Sequence, residues 1–370
     1  MIPVFKNIGL IGLGLIGGSL ARVIKKNGLA QKITGYTKSP ESSNRALELG
    51  IIDSISKSNF QLATHCDLII ISTPLSTYDN IFQEIAPAIT GRTCIITDVG
   101  SIKLPAISLA KKYFTEQNLR YFVSAHPIAG TEKTGVESGF AELFEEKKLI
   151  LTPHEKTSQN AIAIVSQFWE DCGSNIRILE AGAHDKIYAE VSHLPQFLAY
   201  CYATLLLENK EILPSSATLS NNKNFQQFSR ICSSDPTIWY DIFSMNIGYL
   251  ASSLNNFTIT MLDAISSIIT ETSGTHSDRN VVVANSLLHE VPTLISAALV
   301  KCSPDAPTYA GSGFKDFSSF HANLSNPSDK SIALLAELLS KAQELLNLIK
   351  VGDDNKSMAF MQKAASWNKI

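Results

Sequence analysis

Three glycines at fixed spacing, Gly12-x-Gly14-x-x-Gly17, separate two segments of different periodicity. Ahead of them Val4–Ile11 is a short apolar run. Behind them Ile16–Lys26 repeats its apolar residues at helical spacing. A strand that closes on such a cluster and a helix that opens on it form the first turn of a dinucleotide-binding βαβ unit. Gly12 permits the tight turn, Gly14 lets a pyrophosphate approach the backbone, and Gly17 lets helix and strand pack closely. The head of the helix, at Leu15 and Ile16, then offers free N–H groups and a partial positive charge to phosphates.

The pattern continues past the glycines. Lys32–Tyr36 reads as a second strand and Pro40–Leu49 as a helix. Asp67–Ser72 and Thr93–Thr97 are continuous apolar runs, as expected of strands buried on both faces of a parallel sheet. Tyr121–Ser124 and Lys148–Leu151 read as further strands. Strand and helix in alternation predict an α/β fold, a Rossmann-type doubly wound parallel sheet, over residues 1–180. From Ala181 the character changes to long, mostly apolar stretches at helical spacing, so an all-α domain is expected over 181–278. Pro195 falls inside the first of these stretches and is expected to kink or break it. A helical domain in that position of a dehydrogenase usually closes the cleft and forms the dimer.

Composition excludes other classes. The 370 residues hold 31 Lys plus Arg and 34 Asp plus Glu, a net charge of −3, which argues against a nucleic-acid binder working by bulk charge. No apolar run reaches the roughly 18–20 uncharged residues a membrane span needs. The six cysteines are scattered without C-x-x-C pairs or Cys/His metal spacing, so reduced thiols, a cytoplasmic setting and no metal are expected.

Ligands of a doubly wound sheet bind beyond the carboxyl ends of its strands. Ser72-Thr73-Pro74 follows the third strand and is placed to line the cofactor. After the second strand, Thr37-Lys38-Ser39 stands where an acidic residue would select a free ribose 2′-hydroxyl. Thr37, Lys38 and Ser39 are suited instead to hold a 2′-phosphate, which favours NADP over NAD. Asp98 to Lys103 follows the fourth strand. There Ser101 either hydrogen-bonds a substrate hydroxyl or caps the next helix. His126 lies on the loop after the fifth strand, where an imidazole is a plausible proton acceptor near neutrality. His193 and Arg230, in the helical part, are candidate substrate ligands. Arginine suits carboxylates through its planar fork.

Six strings together resemble the prephenate/arogenate dehydrogenase family: GLGLIGGSLA (12–21), TDVGSIK (97–103), HPIAGTEKTGVE (126–137), ILTP (150–153), GAHDKIYAEVSHLPQ (182–196) and FQQFSRICSSDPTIWYDIFSMN (225–246). The resemblance covers about the first 265 residues. It implies hydride transfer to NAD(P) with oxidative decarboxylation of prephenate or arogenate, on the way to tyrosine. It implies His126 as general base at the ring hydroxyl, Ser101 assisting there, and His193 and Arg230 binding substrate, with Arg230 on a carboxylate. Trp239 would come from a neighbouring subunit or be plain packing. Glu132 would join a polar network at the cleft mouth or be an exposed loop carboxylate. The loop Ser220–Asn224 departs from the family's glycine-rich run, and Gln226 and Gln227 replace a basic and acidic pair. Two other readings stay open: a related dehydrogenase or imine reductase of another small anion, and a non-catalytic dinucleotide-binding protein.

A similar string recurs near the end, Gly311 to Phe320, with Leu287 to Pro292 echoing Glu190 to Pro195. Residues 279–370 therefore read as a degenerate second copy of the helical domain. In it Ser319 stands for Arg230 and Glu290 for His193. The quaternary expectation is a homodimer or an intramolecular pseudo-dimer. The tail does not resemble the βαββαβ regulatory module of some relatives.

Overall fold

The computed structural model describes residues 5–131, 133–209, 230–269, 291–303 and 329–367. It divides into two compact units, residues 1–185 and 186–370.

The first unit holds an eight-stranded sheet. Its strands are β1 (Phe5–Ile11), β2 (Ala30–Tyr36), β3 (Ser54–Ile55), β4 (Leu68–Ile71), β5 (Ile95–Asp98), β6 (Phe122–Pro127), β7 (Lys148–Thr152) and β8 (Asn175–Ile178). They lie side by side in the order β3-β2-β1-β4-β5-β6-β7-β8. The order reverses between β1 and β4, which opens a crevice at their carboxyl ends where ligands of such sheets bind. Every residue of β4 and β5 is buried, as expected for the apolar β4; in β5 the burial extends to Thr97 and Asp98. Helices α1 (Leu15–Lys26), α2 (Pro40–Glu48), α3 (Asn59–Ala63), α4 (Tyr78–Ile89), α5 (Leu104–Tyr113), α6 (Glu116–Leu119) and α7 (Gln159–Asp171) make the crossovers and cover the faces.

One pairing departs from the all-parallel expectation: β7 runs antiparallel to β6, with His126 opposite Ile150. A parallel return needs a crossover of a dozen or more residues, usually a helix. Between β6 and β7 the chain instead makes two short 3-10 turns, Val136–Ser138 and Ala141–Phe144, laid against α1. Arg22 Nη1 donates to the carbonyl of Val136 at 3.0 Å and the N–H of Phe140 to Ser19 Oγ at 3.1 Å, which fastens the segment there. β6 also runs further than expected, so His126 is the second-last residue of a strand rather than part of a loop.

Helix α8 (Ala181–Tyr188) leads out of the sheet unit. A five-residue π-helical segment, Ala189–His193, separates it from α9 (Leu194–Glu208). Pro195 thus falls in the first turn of α9, where its missing N–H breaks no helical bond. The interruption lies just ahead of it, in the wider π turn.

The second unit is helical throughout its described residues. It contains α9, α10 (Pro236–Met245), α11 (Ile247–Ile269), α12 (Val291–Cys302), α13 (Asp329–Lys350) and α14 (Asp354–Ala365). Residues Leu194–Leu206 of α9 are all buried, so α9 is the central helix, with α13 and α14 packed on it. The strings that suggest a second copy, Leu287 to Glu290 and Gly311 to Phe320, lie outside the described residues, as does the loop 220–227.

Candidate active site

At the crevice the glycines differ in what they meet. Gly12 has φ +94°, and a Cβ there would lie 2.5 Å from the carbonyl oxygen of Ser72. A Cβ on Gly17 would lie 2.1 Å from the carbonyl oxygen of Gly12, so helix and strand touch backbone to backbone. A Cβ on Gly14 would meet nothing within 4 Å. Gly14 is the N-cap residue of α1, with no side-chain cap and no acidic residue in the first turn. The head of α1, at Leu15 and Ile16, therefore faces a space that one methyl group would begin to fill. These features fit a dinucleotide pyrophosphate. Ser72 Oγ donates to the carbonyl of Gly12 at 2.8 Å and braces the loop. Thr73 and Thr77 share a hydroxyl contact of 2.7 Å, and Thr77 donates to the carbonyl of Pro74 at 2.7 Å.

At the end of β2, Thr37 is half-buried while Lys38 and Ser39 are exposed. Ser39 is the N-cap of α2, its oxygen accepting from the N–H of Ser42 at 3.1 Å.

Under the ends of β5 and β6 lies a buried charge pair. Lys103 Nζ is 2.7 Å from Asp98 Oδ2, and both side chains are 0 % exposed. Nζ also donates to the carbonyl of Ala125 at 2.6 Å. Asp98 accepts further from the Gly100 N–H and the Tyr78 hydroxyl on Oδ2, and from the Ser124 hydroxyl and the Ala125 N–H on Oδ1. One carboxylate thus ties β5, β6, α4 and the loop after β5 together. Burial lowers the Lys103 pKa, against the pull of Asp98. Burial first, and the carboxylate second, push the Tyr78 hydroxyl well above its ordinary value.

His126, next along β6, is half-buried. Its Nδ1 lies 2.9 Å from Nε2 of His184 on α8, with the two rings edge to face at 5.1 Å between centroids. The other nitrogen of His184, Nδ1, lies 2.8 Å from Asp185 Oδ1. Asp185 also accepts from the backbone N–H of Lys103 at 2.8 Å and of Leu104 at 2.9 Å, and so caps the head of α5. Ser101 is half-buried two residues before the N-cap residue of α5, which carries no cap bond from its own side chain. Of its two sequence readings, the capping one does not describe this helix.

In the second unit, His193 is 1 % exposed. The Asn246 amide donates to its Nδ1 at 3.0 Å, and Trp239 of the same chain packs edge-on to its ring at 6.4 Å. Trp239 also packs against Phe243. Arg230 is exposed, a few residues before α10. Glu132 lies outside the described residues. The sequence reading assigns no role to Asp98, Lys103, His184 or Asp185. The available signal was three consecutive ionisable residues, His184, Asp185 and Lys186, in a mostly apolar stretch. Among the described residues no cluster of His, Cys, Asp or Glu could hold a metal ion, and no helix is long and apolar enough to cross a membrane.

A switch-point crevice with a glycine-rich helix head, and an imidazole held near the carboxyl end of β6 in the same sheet, define a dinucleotide-dependent dehydrogenase followed by a helical domain. The family model for the prephenate dehydrogenase nucleotide-binding domain matches residues 20–178. That for the prephenate dehydrogenase dimerization domain matches residues 180–276. The chain belongs to the prephenate dehydrogenase family. It is 32% identical over 256 residues to a cyclohexadienyl dehydrogenase of Zymomonas mobilis, covering 69% of this chain and 86% of that protein. A prephenate dehydrogenase structure from Aquifex aeolicus, in complex with hydroxyphenyl propionate and NAD+, superposes with a TM-score of 0.64 at 32% identity, over 72% of this chain and 91% of that one. Synechocystis arogenate dehydrogenase follows at 0.56 and 26%, over 72% and 92%. Helices α12, α13 and α14 lie beyond the residues the family models match.

Proposed function

We propose that the chain oxidises and decarboxylates prephenate or arogenate, yielding 4-hydroxyphenylpyruvate or tyrosine, with His126 as the general base. The observation that carries this reading is the placement of His126. It is the second-last residue of β6, two strands along the sheet from β4, half-buried and held through its Nδ1. The relatives named above act, by their names, on cyclohexadienyl compounds, prephenate or arogenate.

The nicotinamide, when bound, accepts the hydride that leaves ring carbon C4. His126 takes up the C4 hydroxyl proton as that carbon becomes carbonyl-like. Carbon dioxide then leaves C1, its bonding electrons aromatise the ring, and the ring oxygen recovers a proton. Ser101 hydrogen-bonds the same hydroxyl, and Arg230 and His193 hold the substrate, Arg230 by a carboxylate. Trp239, packed on the His193 ring, supports that side chain. Orientation, one proton acceptor and anion binding are all the chemistry asks of the protein, because aromatisation supplies the driving force.

The cofactor is NADP in preference to NAD. The support is Lys38 and Thr37 at the end of β2, in a position without an acidic side chain. The setting is cytoplasmic, supported by six cysteines outside any disulfide, five of them buried. The helical unit is an intramolecular pseudo-dimer. Its support is that α13 and α14, from beyond the matched dimerization domain, pack on the central helix α9 of the same chain.

An absorbance assay at 340 nm crossing prephenate and arogenate with NAD and NADP, with the aromatic product identified by chromatography, tests the function. Reduction of NADP coupled to one of the two aromatic products is expected. Cofactor reduction with neither substrate refutes the assignment. Light scattering on the purified chain tests the assembly, and an obligate two-chain mass counts against the pseudo-dimer.

A further inference from the structure

We propose that His184, oriented by Asp185, is a positioning residue that fixes the tautomer of His126 and presents its Nε2 as the proton-accepting atom. The proposal rests on the reaction assigned above and adds to it the atom that does the work. All the residues involved lie in the first unit, at the junction of β6, α5 and α8.

Asp185 Oδ1 accepts from the Lys103 N–H and Oδ2 from the Leu104 N–H, so its plane is set by the head of α5. An ionised carboxylate only accepts hydrogen bonds. Its 2.8 Å contact with His184 Nδ1 therefore places a proton on that nitrogen. His184 is 0 % exposed, and burial lowers its pKa, outweighing the opposing pull of Asp185. Lys103 also lowers it and Asp98 raises it, and these are the charged groups that act on the ring from the strand ends and α5. A neutral His184 protonated at Nδ1 carries its lone pair on Nε2.

That lone pair faces His126 Nδ1 at 2.9 Å. Two lone pairs do not share such a contact, so His126 Nδ1 carries the proton and donates it. The neutral His126 ring then has its basic lone pair on Nε2. Which nitrogen of a histidine reacts is set by the hydrogen bond its other nitrogen makes. Here three side chains in series make that choice, anchored on two backbone N–H groups. When His126 takes up a substrate proton, the resulting cation keeps Nδ1–H pointed at the His184 lone pair, so the relay moves no further proton and loses no bond.

The test is histidine side-chain nitrogen NMR on the intact 15N-labelled chain, with His184→Leu and His184→Gln. In the wild type, neutral His126 is expected to be protonated at Nδ1. His184→Leu removes the acceptor. It is expected to shift His126 towards the Nε2–H form and to lower kcat about 10- to 100-fold, part of the span of general-base catalysis, while KM and cofactor affinity stay within about twofold. His184→Gln, whose carbonyl can accept the same N–H, is expected to keep more of kcat than Leu. A wild-type His126 protonated at Nε2 overturns the proposal, and so does a folded His184→Leu enzyme with wild-type kcat. The wild-type spectrum decides alone if the variants do not fold. It needs no substrate, so it stands apart from any failure of the assigned reaction.

Discussion

Lys103 Nζ sits 2.7 Å from Asp98 Oδ2 with neither side chain touching solvent. The pair lies directly beneath the strand end that carries His126, because Nζ also holds the carbonyl of Ala125. Removing one partner of a buried pair leaves an uncompensated charge and costs about 3–5 kcal/mol. Lys103→Met is expected to lower the unfolding free energy by about that amount in urea titration, since Asp98 keeps its charge without the ammonium. A change within about 0.5 kcal/mol, as for an ordinary surface site, would show that the pair does not hold the strand ends.

Gly14 and Gly17 separate folding from cofactor binding. A methyl group at Gly14 enters open space, whereas one at Gly17 collides with the backbone of Gly12. Gly14→Ala is expected to unfold at nearly the wild-type temperature but to bind dinucleotide about tenfold or more weakly, through lost approach to the helix head. Gly17→Ala is expected to lose stability as well. Thermal melts with and without cofactor, alongside a fluorescence titration, distinguish the two outcomes.

Lys38 is the group proposed to hold a 2′-phosphate. A hydrogen bond to a charged group is worth about 1.5–3 kcal/mol. Lys38→Ala is therefore expected to raise the NADP Kd about tenfold or more and to leave the NAD Kd unchanged. Equal effects on both cofactors would remove Lys38 from ribose recognition.

Burial holds the pKa of His184 below the ordinary histidine value, and it does the same for the half-buried His154. Their stabilising contribution is therefore complete above the unfolded-state pKa of about 6.5. It is lost as the pH falls below that value towards the depressed folded-state pKa, because the unfolded chain then binds protons the folded chain refuses. Urea midpoints are expected to fall between pH 7.5 and 5.5, and to fall less steeply in His184→Gln. Equal slopes in the two proteins would contradict the buried, neutral His184.

Much of the sheet unit was legible because β4 is an uninterrupted apolar run and β1 and β5 are apolar over most of their length, between helical periods. Strand β8 was not, because Asn175, Arg177 and Ile178 are exposed at the sheet edge and show no apolar pattern. The direction of β7 was hidden because strand periodicity is the same in parallel and antiparallel pairing. His126 read as a loop residue because a histidine followed by proline resembles a strand end, although both complete β6. His126 itself could be picked out by its place after a strand. Its partners could not: His184 and Asp185 matter only because α8 returns to the ends of β5 and β6, 58 residues later in the chain. That return is a tertiary fact with no local signature.

The most direct measurement compares wild type with His126→Asn, reading dinucleotide affinity by fluorescence titration and turnover at 340 nm on the same preparations. In the proposed reaction His126 is the proton acceptor, and general-base catalysis contributes about 10²–10⁴-fold. Turnover should therefore fall by at least about a hundredfold while cofactor affinity stays at the wild-type value. Turnover that survives the substitution, or turnover and cofactor affinity lost together, would contradict the role assigned to this imidazole.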